Sequence, residues 1–150
     1  MEVSIAETAL RLGAAVLAGV AVGLNRDITD KPIGMRTLGL VALGAATITL
    51  GTIEFHGLGD DVHALSRVLQ GIIQGVLTGI GFIGAGVILR NASAGEIRGL
   101  TTAASVWVTA ALGIVCGLAA WTVAAVGIIL ALVLLVLVGW LEDLLHLKDD

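Results

Sequence analysis

From Gly99 to Leu141 the chain carries no Asp, Glu, Lys or Arg. At about 1.5 Å per helical residue this run would reach roughly 65 Å, about twice a bilayer's hydrocarbon core. One helix cannot use that length, but two can, with a break near Gly117-Leu118-Ala119-Ala120-Trp121. A chain that spends so much of its length this way is an integral membrane protein. Hydrophobic residues make up 57% of it and charged residues 13%, against about 25% charged in a soluble domain. A single transmembrane domain over residues 1–150 leaves only short loops for water-phase chemistry, which argues against an enzyme.

The apolar pattern predicts an all-α bundle of about five spans: 5–24, 37–55, 68–89, 100–118 and 121–141. The first carries Glu7 and Arg11, whose i,i+4 spacing lets them pair. A cleaved leader is not expected there, because Glu2 and Glu7 precede the first basic residue. Five spans put the termini on opposite sides. Arg26, Lys31, Arg36, Arg90, Arg98 and Lys148 then share one side, which the positive-inside rule makes cytoplasmic, with the N-terminus outside. Trp121 and Trp140 suit the two interfaces of the last span. The stretch Gly57 to Arg67, with His63 and the Asp60-Asp61 pair, reads as a solvated outer connector. Neither it nor the lone Cys116 makes a metal site, and no cofactor and no nucleic-acid partner are expected.

Lipid gives helices no hydrophobic reason to associate, so close contact rests on small residues. Ala15, Gly19 and Gly23 repeat at four-residue spacing, as do Gly71, Gly75 and Gly79, and Gly113 and Gly117. They serve packing within the chain or a seam between copies in a homo-oligomer. The run Gly79-Ile80-Gly81-Phe82-Ile83-Gly84-Ala85-Gly86 either passes a neighbour closely or opens its helix. The first four spans also echo one another, which suggests a parallel two-helix repeat with the fifth helix unpaired.

Arg26, Arg36 and Arg98 fall where one set of loops meets helix ends, two of them at helix N-termini. They are candidates for contact with an anionic lipid headgroup, a phosphate ligand or an acidic segment of a membrane-protein partner, or for plain topological anchoring. Asn25, Asp27 and Asp30 can pair with them. Gln70 and Gln74 on the third span, and Thr102, Ser105 and Thr109 on the fourth, either join helices or line a polar path. No carboxylate lies near mid-span, so a dedicated magnesium pathway is not visible.

Gly23-Leu24-Asn25-Arg26, Lys31-Pro32-Ile33-Gly34-Met35-Arg36-Thr37, the glycine run with Gly81, Gly84 and Gly86, and Ile97-Arg98-Gly99-Leu100-Thr101-Thr102-Ala103-Ala104 stand in the same order as motifs of the MgtC/SapB family. The chain resembles the transmembrane domain of that family from about residue 8 to residue 140. The resemblance implies a bacterial inner-membrane protein linked to magnesium homeostasis and adaptation to low magnesium, some members being virulence factors. It does not imply that members carry the ion. Many members have Glu where Asn25 stands, so a role resting on that carboxylate does not transfer. Virulence-associated members also carry a C-terminal cytoplasmic domain beyond the region matched. The expected function is therefore regulatory or accessory, with a small oligomeric transporter of Mg²⁺ or another ion, using Gln70, Gln74, Thr102 and Ser105, as the alternative.

Overall fold

The computed structural model describes residues 3–54, 62–90 and 99–145, and these form helices without strands. They are α1 (Ile5–Ile28), α2 (Met35–Ile53), α3 (Val62–Arg90), α4 (Leu100–Gly117) and α5 (Trp121–Val133). The last continues through a π-wound stretch (Leu134–Val138) into α6 (Gly139–Leu144). Among the described residues five helical segments are long and apolar enough to cross a membrane, as the sequence predicts. Two boundaries differ from the expectation. The α1 helix runs one turn past Leu24, so Arg26 lies in a helix and not in a loop. The α3 helix starts at Val62, so His63 to Arg67 are helical and not part of a connector. Its 29 residues extend for about 43 Å, so these polar residues fit a helix end that passes beyond the hydrocarbon core. Residues 55–61, with His56, Asp60 and Asp61, lie outside the described residues, as does Lys148.

α4 is the central helix and packs against α1, α2, α3 and α5. Its contacts need small residues. A Cβ on Gly113 would overlap the Ala42 carbonyl, and one on Gly117 would lie 2.9 Å from the Ala46 carbonyl oxygen. Across the α1–α2 contact, a Cβ on Gly23 would lie 2.5 Å from Met35 Cα, and one on Gly19 would overlap Leu38. The core between these helices is correspondingly small: Ala15, Ala18, Ala42, Ala46 and Ala110 are buried beside Val22, Leu38 and Val106. Such side chains let backbones approach closely, which is how apolar helices gain contact when lipid competes for their surfaces.

Both ends of this core are tied. At one end Arg11 is held by Glu7 and donates from Nη1 to the Gly117 carbonyl at 3.0 Å. That cation satisfies an orphan carbonyl at the C-terminus of α4, where the helix dipole favours positive charge. At the other end the Asp27 carboxylate accepts from the Met35 N–H at 3.0 Å, capping α2 from outside the helix. Gly34, the residue before α2, touches that carboxylate so closely that any Cβ there would displace it.

The third small-residue stripe behaves differently. A Cβ added at Gly71, Gly75 or Gly79 would meet nothing within 4 Å. These glycines line an open groove of about 760 Å³ between α2 and α3. The run from Gly79 to Gly86 is helical throughout, so neither expected alternative holds along its length. Only Gly84 makes a close pass, its Cβ position 3.3 Å from that of Ala103, while Gly81 and Gly86 face open space. An unbroken helix satisfies its own backbone, which apolar surroundings demand. The pairs α1–α2 and α3–α4 are each packed neighbours, but α3 lies mostly outside the core and α1 within it. The two halves are therefore unequal in burial.

These contacts separate the glycines into two groups. Gly113→Ala should lower the stability of the purified protein in detergent by about 1–3 kcal/mol, the usual cost of overpacking. Gly75→Ala should be neutral or stabilising by up to about 1 kcal/mol. Thermal unfolding of both variants checks this, and equal destabilisation would contradict the packing described.

Candidate functional site

Arg26 stands in the last turn of α1 and is only 3% exposed. The sequence places it beside polar residues, where a long cationic side chain usually reaches for water. Here it turns inward. The chain leaves α1 through a tight reversal in which the Lys31 N–H bonds back to the Arg26 carbonyl at 2.9 Å. Asp30 (φ 51°) and Ile33 (φ 65°) both adopt left-handed backbone conformations. For a β-branched residue such as Ile33 that conformation is rare and costs about 1–2 kcal/mol. The reversal presents the Pro32 carbonyl to the guanidinium, which donates to it from Nε at 3.2 Å and from Nη2 at 3.1 Å.

α4 supplies the other acceptors. Thr102 and Ser105, one turn apart on the same side, are buried. Arg26 donates from Nη1 to Ser105 Oγ at 3.3 Å and from Nη2 to Thr102 Oγ1. The Ser105 hydroxyl in turn donates to the Thr101 carbonyl at 2.8 Å. Further along this side Thr109 is fully buried, and its hydroxyl has no hydrogen-bond partner among the described residues. All four hydrogen bonds of the guanidinium end on neutral oxygens. Asp27, the adjacent residue in sequence, directs its carboxylate to the N-terminus of α2. The site is thus a desolvated cation held by one carbonyl and two hydroxyls, joining α1, the reversal and α4.

The sequence groups Arg26, Arg36 and Arg98 as one contact, and the structure separates the first two. Arg26 is inside, whereas Arg36, in the first turn of α2, is exposed. Arg98 lies outside the described residues. The anion expected at the α2 N-terminus is supplied by the chain's own Asp27. Of the expected polar path, Thr102 and Ser105 belong to the Arg26 cluster, but Gln70 and Gln74 are exposed on α3 beside Leu65, Ser66, Leu69 and Ile73. Among the motif residues, Asn25 is half-buried and its carbonyl accepts from both the N–H and the hydroxyl of Thr29. Thr37 is exposed on the α2–α3 groove, and Thr101 is exposed at the start of α4. Gly99 precedes α4 at φ 89°, a conformation that favours glycine.

Sequence reasoning missed three participants: the Pro32 carbonyl, the capping role of Asp27, and the left-handed Ile33. The signal for the cap was present, since Gly34 before an apolar helix leaves that helix without a capping side chain of its own.

The fold and this internal cation define a multi-helix integral membrane protein organised around one end of its central helix. The chain belongs to the MgtC family, whose model matches residues 12–144. It is 44% identical over 113 residues to Protein SrpB of Synechococcus elongatus, covering 71% of this chain and 61% of that protein. It is 35% identical over 108 residues to Protein SapB of Bacillus subtilis, covering 72% and 46% of the two chains. It is 39% identical over 113 residues to Protein MgtC of Brucella abortus, covering 75% and 43%. The matched region is thus between about two fifths and three fifths of these relatives. No solved structure matches the chain.

The cluster generates a thermodynamic expectation. A double-mutant cycle between Arg26→Gln and Ser105→Ala, read by unfolding in detergent, should give a coupling of about 1 kcal/mol, as for residues sharing a network. The pair Arg36→Gln and Ser105→Ala should be additive within about 0.5 kcal/mol. Additivity in the first cycle would remove Arg26 from the site.

Proposed function

We propose that this chain is a regulatory or accessory protein of the inner membrane, acting in magnesium homeostasis and low-magnesium adaptation, and not itself a conductor of the ion. The family resemblance supports the magnesium connection. The distribution of basic residues supports an outer N-terminus and a cytoplasmic C-terminus. The observation that carries the non-conducting reading is the position of Arg26. A divalent cation moving along the Thr102 and Ser105 hydroxyls would meet a buried guanidinium 3.3 Å from Ser105 Oγ. In low dielectric the repulsion between these charges is large and poorly screened.

Arg36 suits the outward task. It is exposed at the same end of the bundle and offers positive charge to an acidic segment of a membrane partner or to an anionic headgroup, and the basic pattern of the sequence adds Arg98 to the same proposed contact. The Thr102 and Ser105 hydroxyls both accept from a cation, and that of Ser105 donates to a backbone carbonyl in place of a general base, which favours a non-enzymatic role.

One observation favours transport as a second reading. Gln70 and Gln74 face outward from α3, beside the unfilled small-residue stripe, so a path using them would run between copies of the chain in a homo-oligomer.

Purified chain in proteoliposomes with a trapped Mg²⁺-sensitive dye distinguishes the two. The regulatory reading expects influx no greater than in empty vesicles, and saturable influx would overturn it. In cells, Arg36→Ala should impair growth at low magnesium while the protein still inserts at normal abundance. Unaltered growth would remove Arg36 from the contact.

A further inference from the structure

A cleft of about 230 Å³ opens between α1, α4 and the π-wound stretch that follows α5. Its walls are apolar, with Val22, Val108, Ala131 and Leu135 among them, and hydroxyl-bearing Thr101 and Ser105 also line it. Wider π turns are uncommon and recur at functional sites. Here one forms a wall of the cleft with Leu134, Leu135 and Val138. Leu134 and Val138 are exposed, so this wall also reaches the outer surface of the bundle, where the bilayer lies.

The end marked by Thr101 and Ser105 is electrically distinct. Ser105 lines the cleft and its Oγ accepts from Arg26 Nη1 at 3.3 Å, so the guanidinium is one residue removed from the cleft. The acceptors of Arg26 are neutral, and the nearest acid in sequence, Asp27, is committed to the α2 N-terminus. Arg26 therefore gives the polar end of the cleft an attraction for negative charge, strengthened by the low dielectric around it. Shape narrows the occupant further: a narrow cleft open to the bilayer takes part of a flexible chain, whereas a helix is about 10 Å across. The larger α2–α3 groove has no comparable buried cation among its lining residues.

We propose that the cleft binds part of one acyl chain of an anionic phospholipid, the remainder lying in the bilayer, with the phosphate at the Thr101 and Ser105 end. The chain follows the apolar wall toward Val108 and Ala131. The phosphate accepts from the Thr101 hydroxyl, and Ser105, whose own proton goes to the Thr101 carbonyl, stands between it and the Arg26 charge. This site is separate from the exposed Arg36 surface and does not depend on whether the protein regulates or conducts.

Native mass spectrometry of the full chain, purified in a neutral detergent and offered equal amounts of phosphatidylglycerol and phosphatidylcholine with identical acyl chains, tests it. One retained phosphatidylglycerol, preferred about tenfold, is the expected result for a charge-assisted contact. Ala104→Phe, which fills the cleft from α4, should abolish that preference, and Ala131→Phe should do the same from the opposite wall. Glycerol phosphate, which lacks acyl chains, should not displace the lipid. Equal retention of the two lipids by the unaltered protein would overturn the proposal without any variant. So would a preference that survives either substitution in protein with unchanged helicity and melting, or displacement by glycerol phosphate.

Discussion

A guanidinium withdrawn from water at the end of an apolar helix must find oxygen acceptors, and much of the bundle's polar architecture can be understood from how Arg26 finds them. Removing an ion from water costs several kcal/mol even after the protein relaxes. Each hydrogen bond to a charged group returns about 1.5–3 kcal/mol, so the four bonds to Pro32, Thr102 and Ser105 are of the size needed to hold it there. Satisfying them fixes three things together. The reversal after α1 must bring the Pro32 carbonyl inward, at the expense of a left-handed Ile33. The start of α4 must present Thr102 and Ser105 to α1. Asp27, on the next position of α1, is left to cap α2. The Arg26 side chain thereby ties α1 to α4 and to the reversal that leads into α2.

Packing along the bundle follows from backbone proximity more than from large side chains. Gly19, Gly23, Gly113 and Gly117 bring α1, α2 and α4 close enough that small alanines fill the space between them. Arg11 closes the opposite end by bonding the terminal carbonyl of α4. The result is a compact three-helix core with α3 and α5 against its flanks. Most of the surface of those flanking helices is left to lipid or to partners, and the membrane-facing features discussed above, the α2–α3 groove and the cleft beside the π turn, both lie there.

The number of helices and the approximate limits of the spans were legible because apolar length is a direct consequence of bilayer thickness. The glycines of α1 and α4 were legible as packing positions, since spacing of four places them on one side of a helix. The same spacing in α3 gave the same signal, yet Gly71, Gly75 and Gly79 meet no neighbour within the chain. Periodicity shows that a helix has a small-residue face but not whether that face is occupied. Arg26 was hidden for a related reason. An arginine between an apolar span and a polar reversal has the pattern of an interfacial anchor, and only the left-handed turn through Ile33 brings its acceptor inward. Thr102 and Ser105 were recognisable as a polar pair, but the cation that binds them lies more than seventy residues earlier in the sequence, beyond the reach of local pattern.

The same buried charge bears on function. As a fixed cation inside the bundle, Arg26 links the family motifs on α1 and α4, while Arg36 faces outward; the proposed non-conducting role follows from that buried charge. The most direct measurement is solid-state NMR of the chain in lipid bilayers, with nitrogen-labelled arginine and carbon-labelled threonine and serine. Magnetisation should pass from the Arg26 guanidinium nitrogens to the Cβ carbons of Thr102 and Ser105. An Arg26 guanidinium that exchanges freely with water and shows no transfer to either residue would contradict the account at its centre.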